Sequence, residues 1–122
     1  MNPRNARILY AEDDADTREL VTLILEMENC QVKAAEGYAD ALRLAQAEDF
    51  DLYLIDNWMP GMSGVRLCEQ LRKLDQHTPV LFYSAAAYET DRERALAAGA
   101  QGYLVKPAER CELLAEVFSA HL

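Results

Sequence analysis

Four short stretches of this 122-residue chain carry side chains that could do chemistry together: Glu12-Asp13-Asp14, Asp56, Ser84 and Lys106. Each follows a short apolar run, namely Ile8–Ala11, Leu52–Ile55, Val80–Tyr83 and, for the lysine, Tyr103-Leu104-Val105. Three carboxylates at close quarters repel one another, and at neutral pH they need a compensating charge. A hard divalent cation with oxygen ligands answers that need. Mg²⁺ suits a site with few carboxylates, several waters and a phosphoryl oxygen completing its octahedron. Lys106 would add one positive charge and Ser84 a hydroxyl donor. Each stretch also has a plainer reading: the three consecutive acids could simply cap a helix and favour its dipole, and Lys106 could be an ordinary surface lysine. Asp56 resists that treatment, because an acid ending the buried run Leu52-Tyr53-Leu54-Ile55 is costly without a partner.

The elements needed to bring these groups together are legible as an alternation of short apolar runs and longer helical periods. Arg7–Ala11, Gln31–Ala35, Asp51–Ile55, Pro79–Tyr83 and Gln101–Val105 read as strands. Three of them are nearly continuous apolar runs, the pattern of parallel strands covered on both faces. In the second, Val32 and Ala34 alternate with Gln31 and Lys33, which predicts an edge strand. Leu20, Leu23, Ile24 and Met27 mark a first helix with Asp14 or Asp16 as its cap. Ala41, Leu42 and Ala45 mark a second, and Leu67, Cys68, Leu71 and Leu74 a third, opened by Ser63 and Gly64. Ala95, Leu96 and Ala98 mark a fourth, stopped by Gly99. Leu113, Leu114, Val117 and Phe118 mark a fifth, beginning just after Pro107. The expectation is an α/β fold, a (βα)5 doubly wound parallel sheet of five strands with helices on both sides. In such sheets ligands collect beyond the carboxyl ends of the strands, so Glu12, Asp13 and Asp56 should converge at one edge.

Composition narrows the function classes. Residues 1–122 fit one domain with a self-sufficient core. Twelve Lys and Arg against 21 Asp and Glu give a net charge of −9. A surface this acidic repels phosphate backbones, so no direct nucleic-acid binding is expected of the domain itself. The longest apolar runs are four residues, far short of the roughly 18 that span a bilayer. No apolar segment of signal-peptide length follows the basic Met1–Arg7 stretch, so neither secretion nor membrane insertion is expected. Cys30, Cys68 and Cys111 form no C-x-x-C, and His77 and His121 have no ligand-spaced partners, which argues against zinc. All three thiols read as small buried side chains in a reducing, cytoplasmic compartment.

The ordered set Ile8-Leu9-Tyr10-Ala11-Glu12-Asp13-Asp14, Asp56 with Met59-Pro60-Gly61-Met62-Ser63-Gly64, Ser84-Ala85, and Gly102-Tyr103-Leu104-Val105-Lys106-Pro107 resembles the response-regulator receiver domain. That family is the CheY-like phosphoacceptor module of two-component signal transduction. The likeness runs from about Arg7 to Leu122 and implies a flavodoxin-like sheet in strand order 2-1-3-4-5. By resemblance Asp56 is the phosphoacceptor, taking a phosphoryl group from a sensor histidine kinase or a histidine phosphotransfer protein. Asp13 and Asp56 would hold Mg²⁺ directly, Glu12 largely through water, and the Trp58 backbone carbonyl would be a further ligand. Lys106 would pair with one phosphoryl oxygen and the Ser84 hydroxyl would donate to another. The Lys106–Pro107 bond would be cis. Phosphorylation would draw Ser84 towards Asp56 and turn Tyr103 from an exposed to an inward position. The face formed by the fourth helix, fifth strand and fifth helix would carry the signal to a downstream protein or a tethered output domain, with Tyr88, Arg92 and Arg94 on or near it.

Two departures from the family stand out. Trp58 occupies the second position after the phosphoacceptor and Ala86 the second after Ser84, both flanking the path of attacking water. The expectation is that Trp58 shields the acyl phosphate, that Ala86 offers no group to orient water, and that hydrolysis is therefore slow. The competing reading keeps Trp58 in solvent for a partner. Two enzyme or carrier alternatives fit less well. A haloacid-dehalogenase-type phosphatase needs a second acid where Trp58 stands. A flavodoxin-like FMN carrier needs a phosphate-binding first loop where Glu12-Asp13-Asp14 stands. A non-enzymatic receiver is the expectation. No DNA-binding or catalytic output region is legible, which leaves open a stand-alone regulator, a receiver from a larger protein, and dimerisation through the last two helices.

Overall fold

The computed structural model describes residues 5–59 and 61–119. Its elements alternate strictly: β1 Arg7–Ala11, α1 Ala15–Met27, β2 Gln31–Ala35, α2 Tyr38–Ala47, β3 Leu52–Ile55, α3 Gly64–Leu74, β4 Val80–Ser84, α4 Glu89–Ala97, β5 Gly102–Val105 and α5 Arg110–Ser119. The sheet is parallel, in the order β2-β1-β3-β4-β5. β2 is an edge strand, as its alternating pattern predicts, and most of its residues are solvent-accessible. β3, β4 and β5 each begin one residue later than the sequence suggests. At β3 the displaced residue has another task, since the Asp51 side chain accepts from the Arg7 backbone N–H at 2.8 Å. At β4 the displaced residue is Pro79, which has no N–H for the ladder.

Side-chain alternation divides the core between the two faces of the sheet. Ile8, Tyr10, Leu52, Leu54, Leu81 and Tyr83 pack with Val21 and Leu25 of α1 and Leu113 and Val117 of α5. Leu9, Ala11, Tyr53, Ile55, Val80 and Phe82 pack with Ala41 of α2, Leu67, Cys68 and Leu71 of α3, and Ala95 of α4. α4 is polar up to Arg94, has Ala95 as its single buried residue, and is followed by Gly99, whose φ of +113° an L side chain rarely adopts.

Two expectations need correction. The face of α1 turned to the core carries Val21 and Leu25, while Leu20, Leu23 and Met27 are more than half exposed and Ile24 is partly buried. Both stripes of this helix are apolar, so spacing alone does not say which one meets the sheet. Leu74 and Leu96, which mark their helices in the sequence, are likewise exposed at 48% and 40%. Of the three thiols, Cys30 and Cys68 are buried but Cys111 is exposed on α5. Among the described residues no helix is long and apolar enough to cross a membrane.

Candidate functional site

Strand register assembles the site. Ala11 pairs with Ile55, so Glu12 and Asp56 leave the sheet side by side, and the Asp56 N–H donates to the Ala11 carbonyl at 2.9 Å. Ser84 pairs with Val105, and the Lys106 N–H donates to the Ser84 carbonyl at 2.9 Å. The Lys106–Pro107 bond is cis. Asp14 caps α1 by accepting from the Thr17 N–H at 2.9 Å, so one acid of the triplet does serve the helix. α3 starts hard against the site: the Gly64 N–H donates to the Asn57 carbonyl at 2.9 Å, and a Cβ on Gly64 would collide with the Asp56 carbonyl oxygen. Only glycine fits there.

One carboxylate oxygen from each of Glu12, Asp13 and Asp56 lies within 4.8 Å of the others. Glu12 and Asp56 are 1% and 5% exposed, whereas Asp13 is on the surface. Lys106 is the cation paired with two of them. Its Nζ hydrogen-bonds Glu12 Oε1 and stands 3.7 Å from Asp56 Oδ2 and 5.6 Å from the centre of the Tyr83 ring. The Glu12 carboxyl is raised above the usual range: burial lifts it, the Lys106 hydrogen bond lowers it, and the neighbouring Asp56 lifts it again.

These acids are not equally available to a ligand. Both Glu12 oxygens have protein donors, Oε1 from Lys106 and from the Tyr10 hydroxyl at 3.3 Å, Oε2 from the Asp14 N–H at 3.2 Å. Among the described residues, the one hydrogen bond to Asp56 Oδ1 comes from the Trp58 N–H at 3.5 Å. No described residue donates to the Asp13 carboxylate. A small hard cation therefore finds two open carboxylates and a third already anchored, an all-oxygen set that fits Mg²⁺.

Ser84 is fully buried and its Oγ accepts from the Ala86 N–H at 3.2 Å. Tyr103, expected to move between outward and inward positions, lies inward here: it is 9% exposed, stacks on Phe82 at 5.5 Å and donates its hydroxyl to the Ala86 carbonyl at 2.6 Å. Trp58 is 59% exposed and lines a depression with Asp13, Asn57, Met59 and Met62. Its ring forms the rim of the site. A somewhat larger depression, lined by Asp49, Tyr53, Asp75 and His77 among others, lies at the opposite end of the sheet, away from these groups.

Three contacts of the site escape sequence reading. Tyr10 is the donor to Glu12 from inside the core. Arg18 Nη1 donates to the backbone carbonyls of Glu12 at 2.9 Å and Asp13 at 3.3 Å, holding the loop that bears both acids. Gly64 makes the close approach described above. The available signals were faint: a tyrosine two residues before Glu12 in an aliphatic strand, and an arginine one helical turn beyond the cap.

Comparison with known proteins agrees with this geometry. The family model described as the response regulator receiver domain matches residues 8–118. The phosphate regulon transcriptional regulatory protein PhoB of Escherichia coli is 36% identical over 113 residues, covering 91% of this chain and 49% of that protein. The chain spans about half the length of the curated relatives it matches. Among solved structures, the chemotaxis protein CheY4 of Vibrio cholerae superimposes with a TM-score of 0.90 at 28% identity, covering 94% of this chain and 98% of that one. The response regulator protein TrrA of Thermotoga maritima, solved in complex with Mg²⁺ and BeF, gives 0.86 at 29% identity, covering 94% and 98%.

Proposed function

Because the chain belongs to the response-regulator receiver domain family of two-component systems, we propose that Asp56 accepts a phosphoryl group from a phosphohistidine and that this event switches the surface formed by α4, β5 and α5. The single observation that carries the reading is the contrast within the acid cluster. Asp56 is buried at a strand end with a long N–H contact and one cation at 3.7 Å, so its carboxylate oxygens keep bonding capacity to spare. In the transfer an Asp56 Oδ forms the new O–P bond while the P–N bond of the donor breaks, and the electron pair returns to the imidazole nitrogen. Asp13 and Asp56 would hold Mg²⁺, with Glu12 acting through water and the Trp58 carbonyl as a further ligand. The ion supplies charge offset and alignment of the phosphoryl group. Lys106 is placed to leave Glu12 for a phosphoryl oxygen, and the Ser84 hydroxyl to exchange its contact with the Ala86 N–H for another.

The donor is a sensor histidine kinase or a histidine phosphotransfer protein. Its landing ground is supported by the exposed stripe Leu20, Leu23 and Met27 of α1, which leads to a depression lined by Leu20, Tyr83, Ala85, Lys106 and Pro107. Exposed apolar patches of this kind mark protein contacts. Downstream, Tyr103 and Ser84 are both bonded to Ala86, in the loop that leads from β4 into α4. α4 is anchored to the core by one buried alanine, which leaves it free to shift. The recipient is a separate protein or a tethered output domain.

The test uses Trp58, the only tryptophan. Adding beryllofluoride with Mg²⁺ should change its fluorescence with one-to-one stoichiometry, and Asp56→Asn should abolish the response. A response that persists in Asp56→Asn, or its absence in the parent, contradicts the reading.

A further inference from the structure

Tyr10 is a buried ionisable side chain to which the proposed reaction gives no task. It is fully buried in β1, fixed between the α1 and α5 side of the core, and its hydroxyl points at Glu12 Oε1 from 3.3 Å. That same oxygen carries the Lys106 ammonium. Burial and then the charge of Glu12 push the phenol's pKa upward, so it stays a neutral donor.

The consequence appears when Lys106 is asked to do two things. Glu12 is 1% exposed, and a buried carboxylate is tolerated only while its oxygens are paired. In this structure Lys106 stands between Glu12 and Asp56, bonded to the first and 3.7 Å from the second. A phosphoryl group on Asp56 replaces the single carboxylate charge with close to two on the phosphoryl oxygens, and Lys106 is drawn to them. Glu12 is then left with the Asp14 N–H on Oε2 and the Tyr10 hydroxyl on Oε1. Tyr10 cannot follow the lysine, because its ring is locked by packing, and the 3.3 Å separation has room to tighten.

We infer that Tyr10 is a positioning residue for the phosphorylated state: it keeps Glu12 paired and aimed at the metal edge while Lys106 is committed to the phosphoryl group. This rests on the phosphoacceptor reading above. Its signature is state dependence. While Lys106 holds Glu12 the hydroxyl is redundant; once the lysine leaves, it is not.

The experiment compares the parent with Tyr10→Phe, which keeps the ring and removes only the donor, in two titrations followed through Trp58. With Mg²⁺ alone the two proteins should bind within about twofold of each other; with beryllofluoride at saturating Mg²⁺ the variant should bind about tenfold more weakly. In a Lys106→Met background, where Glu12 has already lost its ammonium, Tyr10→Phe should now weaken binding of Mg²⁺ alone by a similar factor. Equal losses in both states, as a merely structural role would give, overturn the inference, and so does no loss in either. A measurement on the unsubstituted protein covers the case of a variant that folds poorly. The Tyr10 ζ-carbon resonance should move when beryllofluoride is added to the Mg²⁺-saturated protein, and an unmoved resonance counts against the inference. A parent that fails to bind beryllofluoride defeats the phosphoacceptor reading itself, so the two failures are distinguishable.

Discussion

The two ends of the sheet are built on opposite principles. At the amino end, polar groups are closed off by protein partners. The Arg72 guanidinium donates to the carbonyls of Gly99 at 2.9 and 3.1 Å, Thr78 at 2.6 Å and Asp75 at 3.2 Å, and to Gln101 Oε1 at 2.9 Å. Asp75 takes the N–H groups of His77 and Thr78 at 2.8 and 3.1 Å as well as the Thr78 hydroxyl. Arg7 ties β1 to Asp51, to the Asp49 carbonyl and to Glu48. At the carboxyl end Glu12 and Asp56 share one lysine, and Asp13 has no described donor. The first end is satisfied and therefore holds the fold; the second is under-compensated and therefore has affinity left for a cation and a phosphoryl group. Stability and function are drawn from different edges of one sheet.

Substitutions at either end should separate the two roles. Asp13→Asn is expected to weaken Mg²⁺ binding by about tenfold or more, while the metal-free protein melts a few degrees higher because the cluster loses a charge. A variant that lost affinity and melting temperature together would blur the contrast. Arg72→Ala should do the reverse, costing about 3 kcal/mol in urea unfolding by stranding the carbonyls of Gly99, Thr78 and Asp75, with Mg²⁺ affinity unchanged.

The pH dependence should carry opposite signs at the two ends. For Asp75, burial raises the carboxyl, but the Thr78 hydroxyl, the His77 and Thr78 N–H groups and Arg72 outweigh it, so its folded pKa is lowered. Its stabilisation is whole above the ordinary carboxylate value of about 4 and is lost as pH falls through the folded value. Glu12 is raised, so its ionised form costs stability above its folded pKa and acidification relieves that cost. Asp75→Asn should flatten the acid limb of a plot of urea midpoint against pH, and Glu12→Gln should steepen it. The same slope in both variants would erase the distinction.

The smallest effect is expected at the rim. With the Trp58 ring 59% exposed, Trp58→Asn should speed release of phosphate from the phosphorylated protein by only about two- to threefold. No acceleration would remove Trp58 as a shield altogether.

The sequence places all ten elements and brings Glu12, Asp13, Asp56, Ser84 and Lys106 to one edge, because parallel strands of similar length deliver their next residues to the same side. It does not choose the buried stripe of α1, since Leu20, Leu23 and Met27 compete on equal apolar terms with Val21 and Leu25. It also misses what depends on side-chain reach across elements. Arg18 bonding back to Glu12 and Asp13, Arg72 closing the α4–β5 turn and Tyr10 reaching Glu12 are contacts that local propensity does not encode. Gly64 is visible as a helix opener, but the backbone of Asp56 pressing on it is not.

The most direct test is covalent. Incubated with Mg²⁺ and a small phosphodonor such as acetyl phosphate, the protein should gain the mass of one phosphoryl group, localised to Asp56, and the gain should vanish with Asp56→Asn or when the metal is chelated. Full incorporation into Asp56→Asn, or a modified residue elsewhere in the chain, would contradict the account.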